Sequence, residues 1–227
     1  MVGPRLATTF AIEAIDRRGR GASGDTSPYS IEREFEDVAA VAEQLATEAG
    51  GPVFVFGHSY GGRCALGAAL LTDAIDRVIC YEGAPTPPGR SYHPPGLGDH
   101  LRERLEANDP ADLLATFMTD VVGMTADELE AYRADPVWPA RVAAAHTIPR
   151  ELEAEKTAAA ALEALGKVRQ PVLQLLGSAS LPVFRAATLA LDERLHDGRV
   201  VEIGGAKHAA HHTHPDAVVE AVRAFLA

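Results

Sequence analysis

Sulfur, basic charge and long apolar runs are all scarce in this chain, and each shortage removes a class of protein. Cys64 and Cys80 are its only cysteines. Neither has a Cys or His neighbour at ligand spacing, so they build no disulfide framework or zinc site and read as core thiols. Basic residues are outnumbered 21 to 32, giving a net charge of −11, which argues against a nucleic-acid partner because phosphates demand a basic face. No apolar stretch approaches the roughly 20 residues of a membrane span. The start, Met1-Val2-Gly3-Pro4-Arg5, has none of the basic, apolar and small-residue regions of a signal peptide. A cytoplasmic protein without a membrane partner is expected. A dinucleotide or phosphate loop is missing as well, because Gly19-Arg20-Gly21 has neither the spacing nor the downstream acid, and no cofactor is expected.

What is present is ample apolar material, 47% of the chain, enough for the core of one domain with an insertion. The stretch around Ser59 organises the rest. Val53-Phe54-Val55-Phe56 is a short run of β-formers of the kind found in a central parallel strand buried on both faces. It stops at Gly57-His58-Ser59-Tyr60-Gly61-Gly62, and a helix is expected from Arg63 to Leu71. Ser59 therefore sits where a strand reverses into a helix, with glycines two residues before and after letting the backbones pass closely. Such an elbow lifts the Ser59 hydroxyl out of the sheet. It also brings helix N-terminal N–H groups, Tyr60 N–H first, to a developing oxyanion.

Strand and helix signals alternate on both sides of the elbow. Thr9–Ile15 reads as a strand, Arg17–Asp25 as a Gly-rich loop, and Ile31, Phe35, Val38, Val41, Ala42 and Leu45 as one face of a helix closed by Gly50-Gly51. Arg77–Tyr81 reads as a buried strand ending at Glu82, after which Pro and Gly rise sharply. Helical patterns follow near Leu101–Leu105, Asp112–Val122 and Leu152–Leu165, with no strand among them. Alternation then resumes with a strand at Pro171–Leu176, a helix at Val183–Leu195, a strand at Arg199–Ile203 and a helix at Pro215–Leu226. Strands separated by helices imply a mostly parallel sheet flanked by helices, an α/β fold.

With Asp16-Arg17-Arg18-Gly19-Arg20-Gly21, Gly57-His58-Ser59-Tyr60-Gly61-Gly62 and Gly204-Gly205-Ala206-Lys207-His208 in this order, the chain resembles α/β-hydrolase-fold proteins of the serine esterase and haloperoxidase branch. The resemblance covers nearly the whole length. It implies a core of residues 1–89 and 167–227, and a helical cap of residues 90–166 that lies over an active site and shapes substrate choice. Phe117, Met118, Val121 and Trp138 of that insertion suit an acyl pocket, or the cap helices' own packing.

The resemblance also implies Ser59 as nucleophile, His208 as base and Tyr60 as oxyanion donor. His58 reads as a packing residue or a pocket residue available to substrate, and not as a second base. His211, His212 and His214 leave open a metal-binding tract, though no partner Cys or carboxylate spacing supports one and no metal is expected. The acid departs from the usual pattern: the loop after the strand that follows the cap reads Gly177-Ser178-Ala179-Ser180, and a serine cannot carry the charge. Some members of this fold supply it from the end of the strand after the elbow helix, where Glu82 stands; Asp192 and Asp197 are weaker candidates. Asp16 and Asp25, flanking arginines, read as loop-ordering residues. A nucleophilic aspartate mechanism is disfavoured by the serine at the elbow.

The implied activity is cofactor-free hydrolysis of an ester, thioester or similar small acyl compound through an acyl-enzyme on Ser59. The alternative is a non-catalytic or crippled ligand-binding member. Family members carry further strands before Thr9, and a His-Gly loop whose backbone supplies a second oxyanion donor; only Met1–Thr8 stand there. The family's strand order then leaves a gap in the middle of the sheet, at about 1–3 kcal/mol per unpaired buried group. Either the Thr9 strand pairs directly with the elbow strand or the chain is a truncated reading of a longer protein. Truncation is the favoured expectation, with impaired activity and poor solubility.

Overall fold

Every link between consecutive strands contains helix, as parallel pairing demands, because parallel neighbours need a long crossover. The computed structural model describes residues 1–227. The chain begins with a single turn, α1 (Gly3–Leu6), and then α2 (Ile31–Ala49), β1 (Val53–His58), α3 (Tyr60–Ala69) and β2 (Ile75–Tyr81). Six helices precede the next strand: α4 (Leu97–Glu106), α5 (Pro110–Asp120), α6 (Ala126–Arg133), α7 (Trp138–Ala144), α8 (Ile148–Ala154) and α9 (Leu162–Leu165). The chain closes with β3 (Val172–Gly177), α10 (Pro182–Asp192), β4 (Gly198–Ile203), α11 (Ala210–Thr213) and α12 (Pro215–Leu226). The strands form one parallel sheet in the order β1-β2-β3-β4.

The helix boundaries follow local chemistry. At the start of α2 the Ser30 side chain accepts from the Arg33 N–H, Glu32 and Glu34 lie in the first turn, and Gly50 ends the helix at φ 71°. Those are a cap, a favourable dipole interaction and a left-handed stop. All of β3 is buried. Leu173 and Leu175 of that strand join Ile79, Tyr81 and Ile203 in a core cluster with Val218, Val219, Val222 and Phe225 of α12. No helix is long and apolar enough to cross a membrane.

The chain divides into two compact units. One comprises Met1–Ile15, Ser30–Arg90 and Thr157–Ala227, and so holds the whole sheet; the other comprises Asp16–Tyr29 and Ser91–Lys156. Within the second, Arg17 and Arg20 donate to Glu151 Oε1 at 3.0 and 2.7 Å, and Arg150 donates to both Asp25 oxygens at 2.8 and 2.7 Å. These bonds explain why the Gly-rich loop counts with helices far away in sequence. Its apolar side chains face inward: Leu97, Leu101, Leu113, Leu114, Val121 and Leu152 form a cluster against which Phe117, Met118 and Trp138 pack.

Several expectations need correction. Thr9–Ile15 is not a strand; the segment is irregular and mostly exposed, with Phe10 edge-on to Phe54 at 6.4 Å. Strand-forming residues make a strand only where ladder bonds form with a neighbour, and this segment forms none. The elbow strand is not central either. β1 lies at the edge of the sheet, paired only with β2, and Phe54 is 41% exposed. The sheet therefore has no internal gap, and direct pairing between a Thr9 strand and β1 does not occur. The stretch Leu152–Leu165 is three short pieces, α8, a 3₁₀ turn at Ala158–Ala160 and α9, because Thr157 and Ala161 take extended conformations.

Candidate active site

The elbow is built as its sequence suggests, with one amendment. Ser59 has φ 54° and ψ −125°, outside the regions open to an ordinary residue. Such a conformation costs on the order of 1–3 kcal/mol and persists only where its surroundings impose it. Here the Ser59 N–H extends the sheet ladder to Tyr81 O at 2.8 Å, while the Ser59 carbonyl accepts from the N–H groups of Gly62 and Arg63 at 2.9 and 3.2 Å. The Ser59 side chain makes no capping bond to α3. Tyr60 is the first residue of α3, so its N–H lies at the positive end of that helix.

The close approach of strand to helix falls at Gly57 and Gly62, not at Gly61. A methyl group on Gly57 would collide with the Gly61 carbonyl and sit 2.6 Å from Gly62 Cα; one on Gly62 would sit 2.9 Å from Cys80 Sγ; around Gly61 there is open space. Gly57→Ala is therefore expected to destabilise the protein by at least about 1–3 kcal/mol, the usual range for overpacking. Gly61→Ala should be neutral or stabilising, by about 0.4–1 kcal/mol. Thermal melts of the two variants check this, and an equal loss in both would contradict the packing described.

Glu82 follows the last residue of β2 and also has a positive φ, 46°. Its backbone N–H stays in the ladder, donating to Leu175 O at 3.1 Å. The residue is 3% exposed, a costly place for a carboxylate unless donors surround it. They do. Oε1 accepts from Gly177 N–H at 2.7 Å and from Ser180 Oγ–H at 2.6 Å, and Oε2 lies 2.6 Å from His208 Nδ1. Ser180, in the loop where an acid was expected and not found, thus donates to the carboxylate that comes from the neighbouring strand end.

His208 is 5% exposed. The Phe184 ring stacks on it at 4.3 Å and 24°. Since a carboxylate only accepts, Nδ1 carries the proton of the neutral ring and Nε2 keeps its lone pair. The loop that bears His208 is tied to β1 and β2 as well. His58 Nε2 lies 2.7 Å from His208 O, the Tyr81 hydroxyl donates to Lys207 O, and Ala210 N–H donates to the Tyr81 hydroxyl at 3.0 Å. The His58 ring also stands 5.3, 4.6 and 4.2 Å from those of Tyr81, His208 and His211.

Of the residues singled out from sequence, Glu82 and His208 are bonded to each other and Ser59 stands one ladder step from Glu82. The weaker acid candidates lie apart: Asp192 accepts from Gln174 Nε2 at 3.2 Å, and Asp197 is 3.9 Å from Arg199. No group of three or more His, Cys, Asp or Glu side chains is arranged to hold a metal ion. Burial pushes the Cys80 thiol up to about 12, so that sulfur offers no thiolate nucleophile at neutral pH. Sequence reasoning missed Tyr81, Phe184 and the hydroxyl of Ser180. Only Tyr81 carried a signal, as a phenol in a strand otherwise apolar over Val78-Ile79-Cys80.

Residues 2–221 match the model of the Alpha/beta hydrolase family. A pimeloyl-[acyl-carrier protein] methyl ester esterase of Neisseria meningitidis is 25% identical over 245 residues, spanning 98% of this chain and 85% of that protein. An alpha/beta hydrolase from Sphaerobacter thermophilus superposes with a TM-score of 0.82 at 31% identity, covering 100% of this chain and 86% of its own. The enol-lactonase from Burkholderia xenovorans is similar with a TM-score of 0.71 at 23% identity, covering 92% and 78%. At that identity the likeness speaks to the fold alone.

Proposed function

Because the chain belongs to the alpha/beta hydrolase family, we propose that it is a serine hydrolase that cleaves a carboxylic ester or similar acyl compound through an acyl-enzyme on Ser59. The observation that carries the reading is the buried 2.6 Å bond between His208 Nδ1 and Glu82 Oε2, one ladder step from a serine held in a strained elbow. A structural ion pair explains a buried carboxylate and imidazole, but it gives no reason for a strained serine beside them.

The steps follow from the proton positions. Ser59 Oγ attacks the acyl carbon while His208 Nε2 takes its proton, and Glu82 holds the imidazole in the tautomer that leaves Nε2 free and then steadies the imidazolium. Charge builds on the carbonyl oxygen, and Tyr60 N–H at the start of α3 stabilises it. His208 returns the proton to the departing alcohol. Water then gives a proton to His208 as its oxygen attacks the acyl carbon, and His208 passes that proton to Ser59 Oγ as the acid leaves. The esterase relative acts on a methyl ester by its name, which favours an ester over an amide here.

A fluorophosphonate probe tests the reading with purified protein. Labelling is expected at Ser59, to be lost after His208→Ala and retained in His212→Ala, since His212 is exposed. Absence of labelling on intact protein would sink the hydrolase reading and favour a ligand-binding role. A series of p-nitrophenyl esters of graded chain length then identifies the preferred acyl group.

A further inference from the structure

The register of the sheet pairs His58 with Tyr81 at the ends of β1 and β2, and the residues that follow them are Ser59 and Glu82. Both paired side chains reach the backbone of the loop that carries His208. We infer that His58 and Tyr81 are positioning residues for His208, each strand end delivering one side chain to the reaction and, one residue earlier, another that fixes the base.

Between β4 and α11 the chain crosses Gly204 to Ala209 without regular structure. Three bonds serve its outer part: Ala206 N–H to Ile203 O at 3.2 Å, Gly205 N–H to Ser178 Oγ at 2.8 Å, and Ala179 N–H to Ala206 O at 2.9 Å. Around His208 itself, His58 takes up the His208 carbonyl, and Tyr81 takes up the Lys207 carbonyl and the Ala210 N–H. A carbonyl only accepts, so His58 must hold its proton on Nε2. The Tyr81 hydroxyl donates to one side of His208 and accepts on the other, bridging positions 207 and 210. Burial and the adjacent Glu82 carboxylate push the phenol up from its ordinary value, so it remains a donor through the range in which an esterase is assayed.

Without these tethers the imidazole would depend on its own bond to Glu82 and on Phe184 for its place. A displacement near 1 Å at a reacting group costs about 10²-fold in rate. Positioning of a base acts on the chemical step and leaves substrate binding alone. This inference rests on the Ser59, His208 and Glu82 reading, and its test keeps the two separable.

The experiment combines steady-state kinetics on a p-nitrophenyl ester with proton NMR of the His208 Nδ1–H, whose buried bond to Glu82 should give a downfield signal slow to exchange with water. Tyr81→Phe and His58→Leu are expected to lower kcat about 10–100-fold with KM nearly constant, and to broaden that signal. His58→Gln keeps an N–H at the same number of bonds from Cβ and should recover both the signal and most of kcat. A role confined to stability would lower the melting temperature and leave the signal and kcat of the folded fraction as they are. Wild-type kcat and signal in both Tyr81→Phe and His58→Leu, or a His58→Gln as defective as His58→Leu, would overturn the inference. A wild-type protein lacking the downfield signal, or a Ser59→Ala variant that still turns over, would overturn the triad and the inference with it.

Discussion

Ser59→Ala is expected to remove ester turnover, by about 10⁶ in kcat if the triad acts as a unit, while leaving the melting temperature within a degree or two of wild type. The two halves of the expectation have separate causes. The hydroxyl makes no capping bond to α3, so its loss leaves no helix N–H without its side-chain acceptor. The elbow is held by backbone bonds of Ser59 N–H to Tyr81 O and of Gly62 and Arg63 to Ser59 O, which alanine makes equally well. Alanine inherits the same φ of 54° and the same strain. Activity loss without stability loss separates a reacting group from a packing group. Retained turnover would place the nucleophile elsewhere, and Cys80, buried with its thiol pushed up to about 12, is not an alternative.

The parts of this chain that were legible in sequence are those that local chemistry decides. A glycine-flanked serine between a β-forming run and an Ala-rich helix specifies its own geometry, and the helix from Ile31 announces itself by its period, its acidic first turn and Gly50. The parts that were not legible depend on neighbours. Thr9–Ile15 has strand-like residues but no partner strand, and Val53–Phe56 has the composition of a central strand yet lies at an edge. β-propensity records how a residue fits a half-buried pleated surface, so it says little about whether that surface exists. The helices α6 and α7 went unread because they are short and bury no residue, which leaves no apolar stripe to detect. The site divides in the same way. Glu82 stands out in the sequence as an acid candidate because the usual position is occupied by Ser180, but that Ser180 turns its hydroxyl onto Glu82, and that Tyr81 bridges Lys207 and Ala210, follow only from the tertiary fold.

Glu82→Gln is expected to lower kcat by about two to four orders of magnitude, with most of the loss near the upper end, because the amide should impose the wrong tautomer on His208. Glutamine has one oxygen and one NH2 to place where the carboxylate had two acceptors. The Oε1 site faces Gly177 N–H at 2.7 Å and the Ser180 hydroxyl at 2.6 Å. A backbone N–H cannot become an acceptor, so the amide oxygen must take this site and the NH2 must face His208 Nδ1. Nδ1 then accepts, the ring proton moves to Nε2, and the nitrogen that should receive the Ser59 proton no longer has a lone pair. Asp192→Asn changes none of this, since Asp192 is engaged with Gln174, and it should leave kcat almost untouched. Because Ser180 Oγ lies 2.6 Å from the Glu82 oxygen, Ser180→Asp in the Glu82→Gln background returns a carboxylate to the neighbourhood of the base and should recover part of the lost kcat. In the wild-type background the same substitution sets a second carboxylate against the buried Glu82 and should cost both stability and activity. If Asp192→Asn were the damaging change and Glu82→Gln the silent one, the acid would come from the later part of the chain, and the bond between Glu82 and His208 would be structural.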